Sequence, residues 1–135
     1  MSFAAKLVAY SVAASAALAL SPVLINAEPV KIEYGSVNLD SAKAKELWGD
    51  ILPNVEMAGD QPPSIFVAKA GDGLEISLIY ASNMCSMDKC PIRVFEGGVK
   101  IEDTMGCYNI TEHKLAESER AMVACDDVIL INRKK

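Results

Sequence analysis

The stretch Ser64–Tyr80, SIFVAKAGDGLEISLIY, decides the fold of this chain because it holds two strand patterns separated by a turn. Ser64–Ala70 and Leu74–Tyr80 are short runs rich in apolar residues, and the second run alternates apolar residues along one face. Gly71-Asp72-Gly73 joins the two runs, and glycine adopts turn conformations without a steric penalty. The stretch predicts an antiparallel pair of strands.

Further strand patterns lie on both sides of this pair. Ile92–Phe95 and Val99–Ile101 flank Gly97-Gly98, a two-residue connection that favours a tight hairpin turn. Val30–Tyr34 alternates as a half-buried strand does, and the β-branched run Val128–Asn132 predicts a buried closing strand. Between them, residues 111–122 fit either a short helix or the two arms of a hairpin.

A helix is predicted ahead of the strands. Four apolar residues recur at the spacing of one helical face: Ala44, Leu47, Trp48 and Ile51. Asp40 is the expected N-cap and Pro53 the expected end. Trp48 is expected to pack on the sheet, with a ligand-stacking role as the alternative. The predicted fold is α+β: a small antiparallel sheet of about five to seven strands with one N-terminal amphipathic helix, stapled by two disulfides.

Residues 1–27 resemble a secretory signal peptide in composition. Lys6 is the only charged residue before Glu28, and the apolar run Leu7–Leu20 ends at Pro22, short of the roughly 20 residues that span a membrane. We expect cleavage after Ala27. The alternative is an uncleaved anchor. The alanine-rich signal favours the periplasm, with secretion as the second choice.

Residues 28–135 then form a single mature domain, which is large enough for its own core. Without Lys6 it has 12 basic and 18 acidic side chains, a net charge of −6. An acidic domain without a basic cluster is poorly suited to phosphate-rich partners. The composition excludes nucleic acid as a partner, and no membrane association is expected after cleavage.

All four cysteines follow the signal, and an even number in an oxidising compartment predicts disulfides. We favour Cys85–Cys90, which closes a tight loop, and Cys107–Cys125, which staples the C-terminal segment to the sheet. In the chain-entropy description these rings contribute about 2 and about 3 kcal/mol.

The segment around the first pair offers a second interpretation. Thioether and thiolate sulfurs are soft ligands that select Cu(I), and four lie close together in Met84, Cys85, Met87 and Cys90. A periplasmic Cu(I)-handling protein is therefore the alternative function. A thiol–disulfide oxidoreductase is the second alternative, although the pair lacks the Cys-x-x-Cys spacing at a helix start.

The remaining sequence gives no catalytic residue and no cofactor motif. His113, the only histidine, stands between Glu112 and Lys114 and is expected at the surface. The leading hypothesis is a non-catalytic periplasmic binding or inhibitor-type protein. Its site is the constrained loop, with four candidate binding residues: Met84, Met87, Asp88 and Lys89. The sheet is also expected to display the proline-rich loop 58–63, and the partner is a protein or small ligand that the sequence does not identify.

Overall fold

The computed structural model describes residues 28–55 and 62–134, which form two antiparallel sheets and one α-helix. The four-stranded sheet contains, in spatial order, β1 (Val30–Lys31), β7 (His113–Leu115), β8 (Ala121–Ala124) and β9 (Asp127–Leu130). The five-stranded sheet contains β2 (Gly35–Val37), β3 (Ser64–Ala70), β4 (Leu74–Tyr80), β5 (Lys89–Glu96) and β6 (Val99–Cys107). The helix is α1 (Ala42–Trp48), and short 3-10 helices occupy Leu52–Asn54 and Ile110–Glu112.

The predicted signal, residues 1–27, and most of the proline-rich loop lie outside the described residues. Within the described part of the chain, no helix has the length and hydrophobicity needed to cross a bilayer. The observed domain is mostly antiparallel sheet with little helix, and its strands are divided between two sheets rather than joined in one.

The two hairpins predicted from the sequence are confirmed. β3 and β4 pair over their full lengths, from Ser64 opposite Tyr80 to Ala70 opposite Leu74. β5 and β6 pair across the Gly97-Gly98 turn, where φ is 58° and 84°. Two consecutive positive φ values are the conformation that favours glycine in a tight hairpin.

The five-stranded sheet is covered on both faces, so the domain has three layers. On one face, Trp48 and its neighbours on α1 pack against Ile65, Ile79 and Phe95. On the other face, β4 and β5 pack against Met122 and Ile129 of the four-stranded sheet. Adjacent residues of a strand point to opposite faces, so each central strand supplies both interfaces.

Helix α1 begins one residue later than the sequence predicts. Ser41, rather than Asp40, is the N-cap, and its Oγ accepts a 3.1 Å hydrogen bond from the Ala44 main-chain N–H. The helix ends at Trp48, before Pro53, which lies in the following 3-10 helix. Three residues of the predicted face, Ala44, Leu47 and Trp48, are buried, whereas the fourth, Ile51, follows the helix and is partly buried.

Two expectations for the C-terminal part need correction or completion. Of the two possibilities for residues 111–122, the hairpin is present: β7 and β8 pair in an antiparallel manner, preceded by the 3-10 helix Ile110–Glu112. The closing strand is buried on one face only: Val128 and Leu130 are 65% and 72% exposed, whereas Ile129 and Ile131 are buried. β9 is an edge strand with a single covered face, so the β-branched composition alone overstated its burial.

Candidate functional site

Both disulfides favoured by the sequence are present in the structure. Cys85 joins Cys90, the second residue of β5, across a separation of 5 residues. Cys107, the last residue of β6, joins Cys125 in the turn between β8 and β9. The first bridge closes a loop at one end of the five-stranded sheet, and the second ties the two sheets together. No free cysteine occurs among residues 28–55 and 62–134.

The loop inside the first bridge is a tight hairpin turn. Ser86 and Lys89 exchange two main-chain hydrogen bonds of 2.8 and 3.0 Å, so Met87 and Asp88 are the two central residues. Met87 has a φ of 58°, in the left-handed region where residues other than glycine are uncommon. Its side chain is 97% exposed at the apex of the turn.

The loop is held to the rest of the domain from both sides. On the β4 side, the main-chain N–H groups of Met84 and Cys85 donate to the carbonyl oxygen of Ala81. On the other side, the Tyr108 main-chain N–H donates to the Asp88 carbonyl oxygen over 2.9 Å. The turn therefore has little freedom to rearrange, in contrast to an ordinary exposed loop.

The structure brings three of the four predicted binding residues to the surface. Met87, Asp88 and Lys89 are exposed, whereas Met84 is half-buried at the base of the loop. Lys89 Nζ lies 2.9 Å from Asp127 Oδ2 on β9, and this hydrogen bond raises the pKa of the lysine. Lys89 thus also helps to fasten the loop to the second sheet.

The sulfur cluster considered for Cu(I) has a different form in this structure. Cys85 and Cys90 are oxidised to a disulfide, so neither offers a thiolate to a metal ion. Met87 points to solvent while Met84 is half-buried, so the two thioethers differ in accessibility. In the bridge, Cys90 is fully buried and Cys85 is partly buried. This burial limits attack on the disulfide by an external thiol, the step that a thiol–disulfide oxidoreductase requires.

Tyr108 is a surface residue of this site that the sequence did not reveal. Its side chain is 51% exposed, and its ring centroid lies 5.9 Å from that of Tyr80. It lines two depressions. One, of about 410 Å³, is lined by Ser64, Phe66, Tyr80, Tyr108 and Ile110. The other, of about 280 Å³, is lined by Asp88, Cys107, Tyr108, Asn109, Glu112 and Cys125.

The only signal for Tyr108 in the sequence is its position directly after Cys107. That position says nothing about Asp88, which is 20 positions earlier in the sequence. The two residues meet because β5 and β6 pair in the register that sets Lys89 opposite Cys107.

The expectation that His113 lies at the surface is wrong. His113 is fully buried, and its Nδ1 is 2.8 Å from the Tyr34 hydroxyl, which donates to it. Nε2–H donates to the Cys107 carbonyl oxygen over 2.8 Å. Burial lowers the pKa of His113, so the ring is neutral in this arrangement. Its position on β7 turns the side chain inward, whereas Glu112 and Lys114 are exposed.

Trp48 packs on the five-stranded sheet as predicted, and the ligand-stacking alternative is wrong because the side chain is fully buried. Its Nε1–H donates to Ser77 Oγ over 2.8 Å. Arg93 lies over the indole, with Cζ 4.4 Å from the ring centroid, and forms two hydrogen bonds with the Asp50 carboxylate. The cluster is part of the core.

Comparison with known proteins found no family model, no curated protein and no solved structure that matches this chain.

Proposed function

We propose that this chain is an exported, non-catalytic binding or inhibitor-type protein that presents the Cys85–Cys90 loop to a protein partner. The main support for this proposal is the exposure of Met87, an apolar side chain that is 97% exposed at the apex of a turn fixed by a disulfide. A soluble domain gains nothing in stability from such a side chain. When the same side chain enters a pocket of a partner, its apolar surface is removed from water, which favours binding.

The rigidity of the loop supports this function. Binding costs about 0.5–1.5 kcal/mol for each rotamer-rich side chain that becomes ordered, and flexible loops add to this cost. The disulfide, the Ser86–Lys89 turn and the Tyr108–Asp88 hydrogen bond fix the backbone before a partner arrives. Met87 itself adapts to an irregular pocket because its side chain is unbranched and polarisable.

The proposed compartment is the periplasm. Two disulfides are compatible with an oxidising environment. The signal composition of residues 1–27 supports export, and residues 28–135 form the proposed mature domain, with α1 as its helix. Reduction of Cys85–Cys90 would be required before the Cu(I) alternative could use those sulfurs.

The test is partner capture with matched variants. The wild-type protein, immobilised through its C-terminus, is exposed to periplasmic extract, and captured proteins are identified and then purified for direct binding measurements. We expect Met87→Ala to abolish or strongly weaken capture. Val99→Ala is the control, because Val99 is 57% exposed but lies at the opposite end of β6. Equal capture by wild type and Met87→Ala would refute the assignment of the loop.

A further inference from the structure

We infer that the partner contributes a short extended segment in which an apolar residue stands two positions from a lysine or arginine, and that this segment lies across Tyr108. The inference rests on the proposed function and adds the chemistry of the partner. It follows from the two depressions that Tyr108 helps to line, one lined mainly by aromatic and aliphatic residues and one that includes two acidic residues.

The first depression suits an apolar side chain. Three aromatic rings and one branched aliphatic side chain contribute to its lining: Phe66, Tyr80, Tyr108 and Ile110. Phe66 and Tyr80 also pack against the main core, so this part of the surface has a rigid base. Aromatic residues in such a setting contribute large contact area with little loss of side-chain entropy.

The second depression suits a cation. Asp88 and Glu112 line it together with Tyr108, and both acidic residues are exposed. Glu112 accepts a 2.8 Å hydrogen bond from the Asn109 side chain, which orients its carboxylate without neutralising the charge. Lys89, the cation next to Asp88 in the sequence, is hydrogen-bonded to Asp127, and its electrostatic interaction with Asp88 is the smaller of the two. An incoming ammonium or guanidinium group would therefore find two acidic residues beside Tyr108.

The charge of the whole domain favours the same partner. The mature domain has a net charge of −6, so it attracts basic segments and repels acidic ones over distances of about a Debye length. The shared lining also favours a protein segment over a free ion, because Tyr108 lines both the apolar and the acidic depression. Side chains two positions apart in an extended segment point to the same face and could occupy both depressions.

The inference is tested by NMR titration of the isotopically labelled protein, produced from the full chain, with three capped peptides. The first is Gly-Ile-Leu-Arg-Gly, the second replaces arginine by glutamate, and the third replaces Ile-Leu by Ser-Ser. We expect the arginine peptide to shift the amide signals of Asp88, Tyr108 and Ile110 in a saturable manner, with millimolar affinity. Each of the other peptides should bind about ten-fold more weakly or not at all, given the size of single exposed contacts.

Variants distinguish a specific site from general attraction. Asp88→Asn with Glu112→Gln should remove the preference for arginine over glutamate. The matched control, Asp40→Asn with Glu117→Gln, changes the net charge equally at exposed positions outside both depressions and should keep that preference. Equal binding of the arginine and glutamate peptides, shifts confined to other surfaces, or no saturable response to the arginine peptide would each overturn the inference.

The same titration separates this inference from the proposed function. Met87→Ala should still bind the arginine peptide, because Met87 lines neither depression. If Met87→Ala captures the partner as well as wild type does, the proposed function fails whatever the peptides show. If capture requires Met87 while the charge variants leave both capture and peptide preference unchanged, only the inference about partner chemistry fails.

Discussion

The main-chain N–H of Tyr108 donates a 2.9 Å hydrogen bond to the carbonyl oxygen of Asp88. This bond joins the apex of the disulfide loop to the segment that follows β6. Met87, which is 97% exposed, is adjacent to Asp88 in the same turn, so the bond connects Tyr108 to the turn that carries this side chain.

Met87 should matter for binding and not for folding. Because its φ is 58°, Met87→Gly relieves an unfavourable conformation, and we expect equal or higher stability, by up to about 1 kcal/mol. The same variant should lose partner capture, since the apolar side chain is gone. Urea denaturation and capture, measured on one preparation, check both parts. A loss of stability together with retained capture would contradict the role given to this residue.

Each disulfide should have its own effect. Replacing Cys107 and Cys125 by alanine should lower the free energy of unfolding by about 3 kcal/mol, and replacing Cys85 and Cys90 by about 2 kcal/mol. Replacement of Cys85 and Cys90 should also weaken partner binding by about ten-fold, because the turn is no longer ordered in advance. Denaturation curves and binding isotherms give the comparison. Unchanged affinity after loss of Cys85–Cys90 would show that loop rigidity is unimportant.

Arg93 should be required for the stability of the α1 side of the core. Its side chain is 7% exposed, contacts Trp48 and bonds to the Leu47 carbonyl oxygen and to Asp50. We expect Arg93→Ala to lower the free energy of unfolding by about 3 kcal/mol, since it leaves a cavity beside Trp48 and an unpaired Leu47 carbonyl oxygen. Arg93→Lys should recover little, because an ammonium cannot form the same paired contact.

The comparison for Arg93 is Lys100→Ala, which removes an exposed cation paired with Asp103, a carboxylate that also lies 3.3 Å from Arg93 Nε. It should change stability by no more than about 0.5 kcal/mol. Guanidinium denaturation measures the stability of both variants. Similar losses of stability would indicate that the contacts of Arg93 have no special role.

His113 should make the protein less stable in acid. Burial lowers the pKa of His113 below its usual 6.5, so the unfolded chain binds a proton more readily than the folded one. The neutral ring contributes fully to the free energy of unfolding above about pH 6.5. This contribution is lost as the pH falls toward the pKa of the folded state, with a slope of at most about 1.4 kcal/mol per pH unit. Arg93 lowers the pKa of Asp50, so this carboxylate affects the pH dependence of stability only around and below its usual pKa of 3.8.

Because the chain has a single histidine, His113→Gln isolates this effect. The variant should be less stable at pH 7.5, yet its stability should change little between pH 7.5 and pH 5, the range in which wild type loses stability. Thermal denaturation across that range is the measurement. Parallel curves for the two proteins would contradict a neutral buried imidazole.

Export should leave a defined product. Protein recovered from the periplasm after expression of the full chain should have the mass of residues 28–135, less two hydrogens for each disulfide. Non-reducing peptide mapping should find Cys85 linked to Cys90 and Cys107 to Cys125. A product that retains Met1 would refute the signal, and free thiols with stoichiometric Cu(I) uptake would favour the copper alternative instead.

The parts of the fold that the sequence predicts well depend on neighbours along the chain. The strands at Ser64–Ala70 and Leu74–Tyr80, the Gly97-Gly98 hairpin and the Cys85–Cys90 bridge all follow from alternation, turn residues and short separations. The N-cap at Ser41 instead of Asp40 is an error of one position, because both side chains can accept the same hydrogen bond.

The sequence predicts only part of the candidate site. Met87, Asp88 and Lys89 could be proposed from the loop alone, but Met84 could not be recognised as half-buried. Tyr108 was missed because it joins the site only through the register of β5 and β6. Exposure depends on which elements cover a residue, and the composition of its own segment does not contain that information.

By itself, the sequence determined the local structure of this protein: its strand pairs, its amphipathic helix segment and the constrained loop with methionine in its middle. The tertiary structure alone decided that the strands divide into two sheets, that His113 lies buried beside Cys107, and that Tyr108 meets Asp88. The physical reason is that backbone conformation and turn geometry depend on adjacent residues. Burial and site assembly depend instead on how distant strands pair and stack.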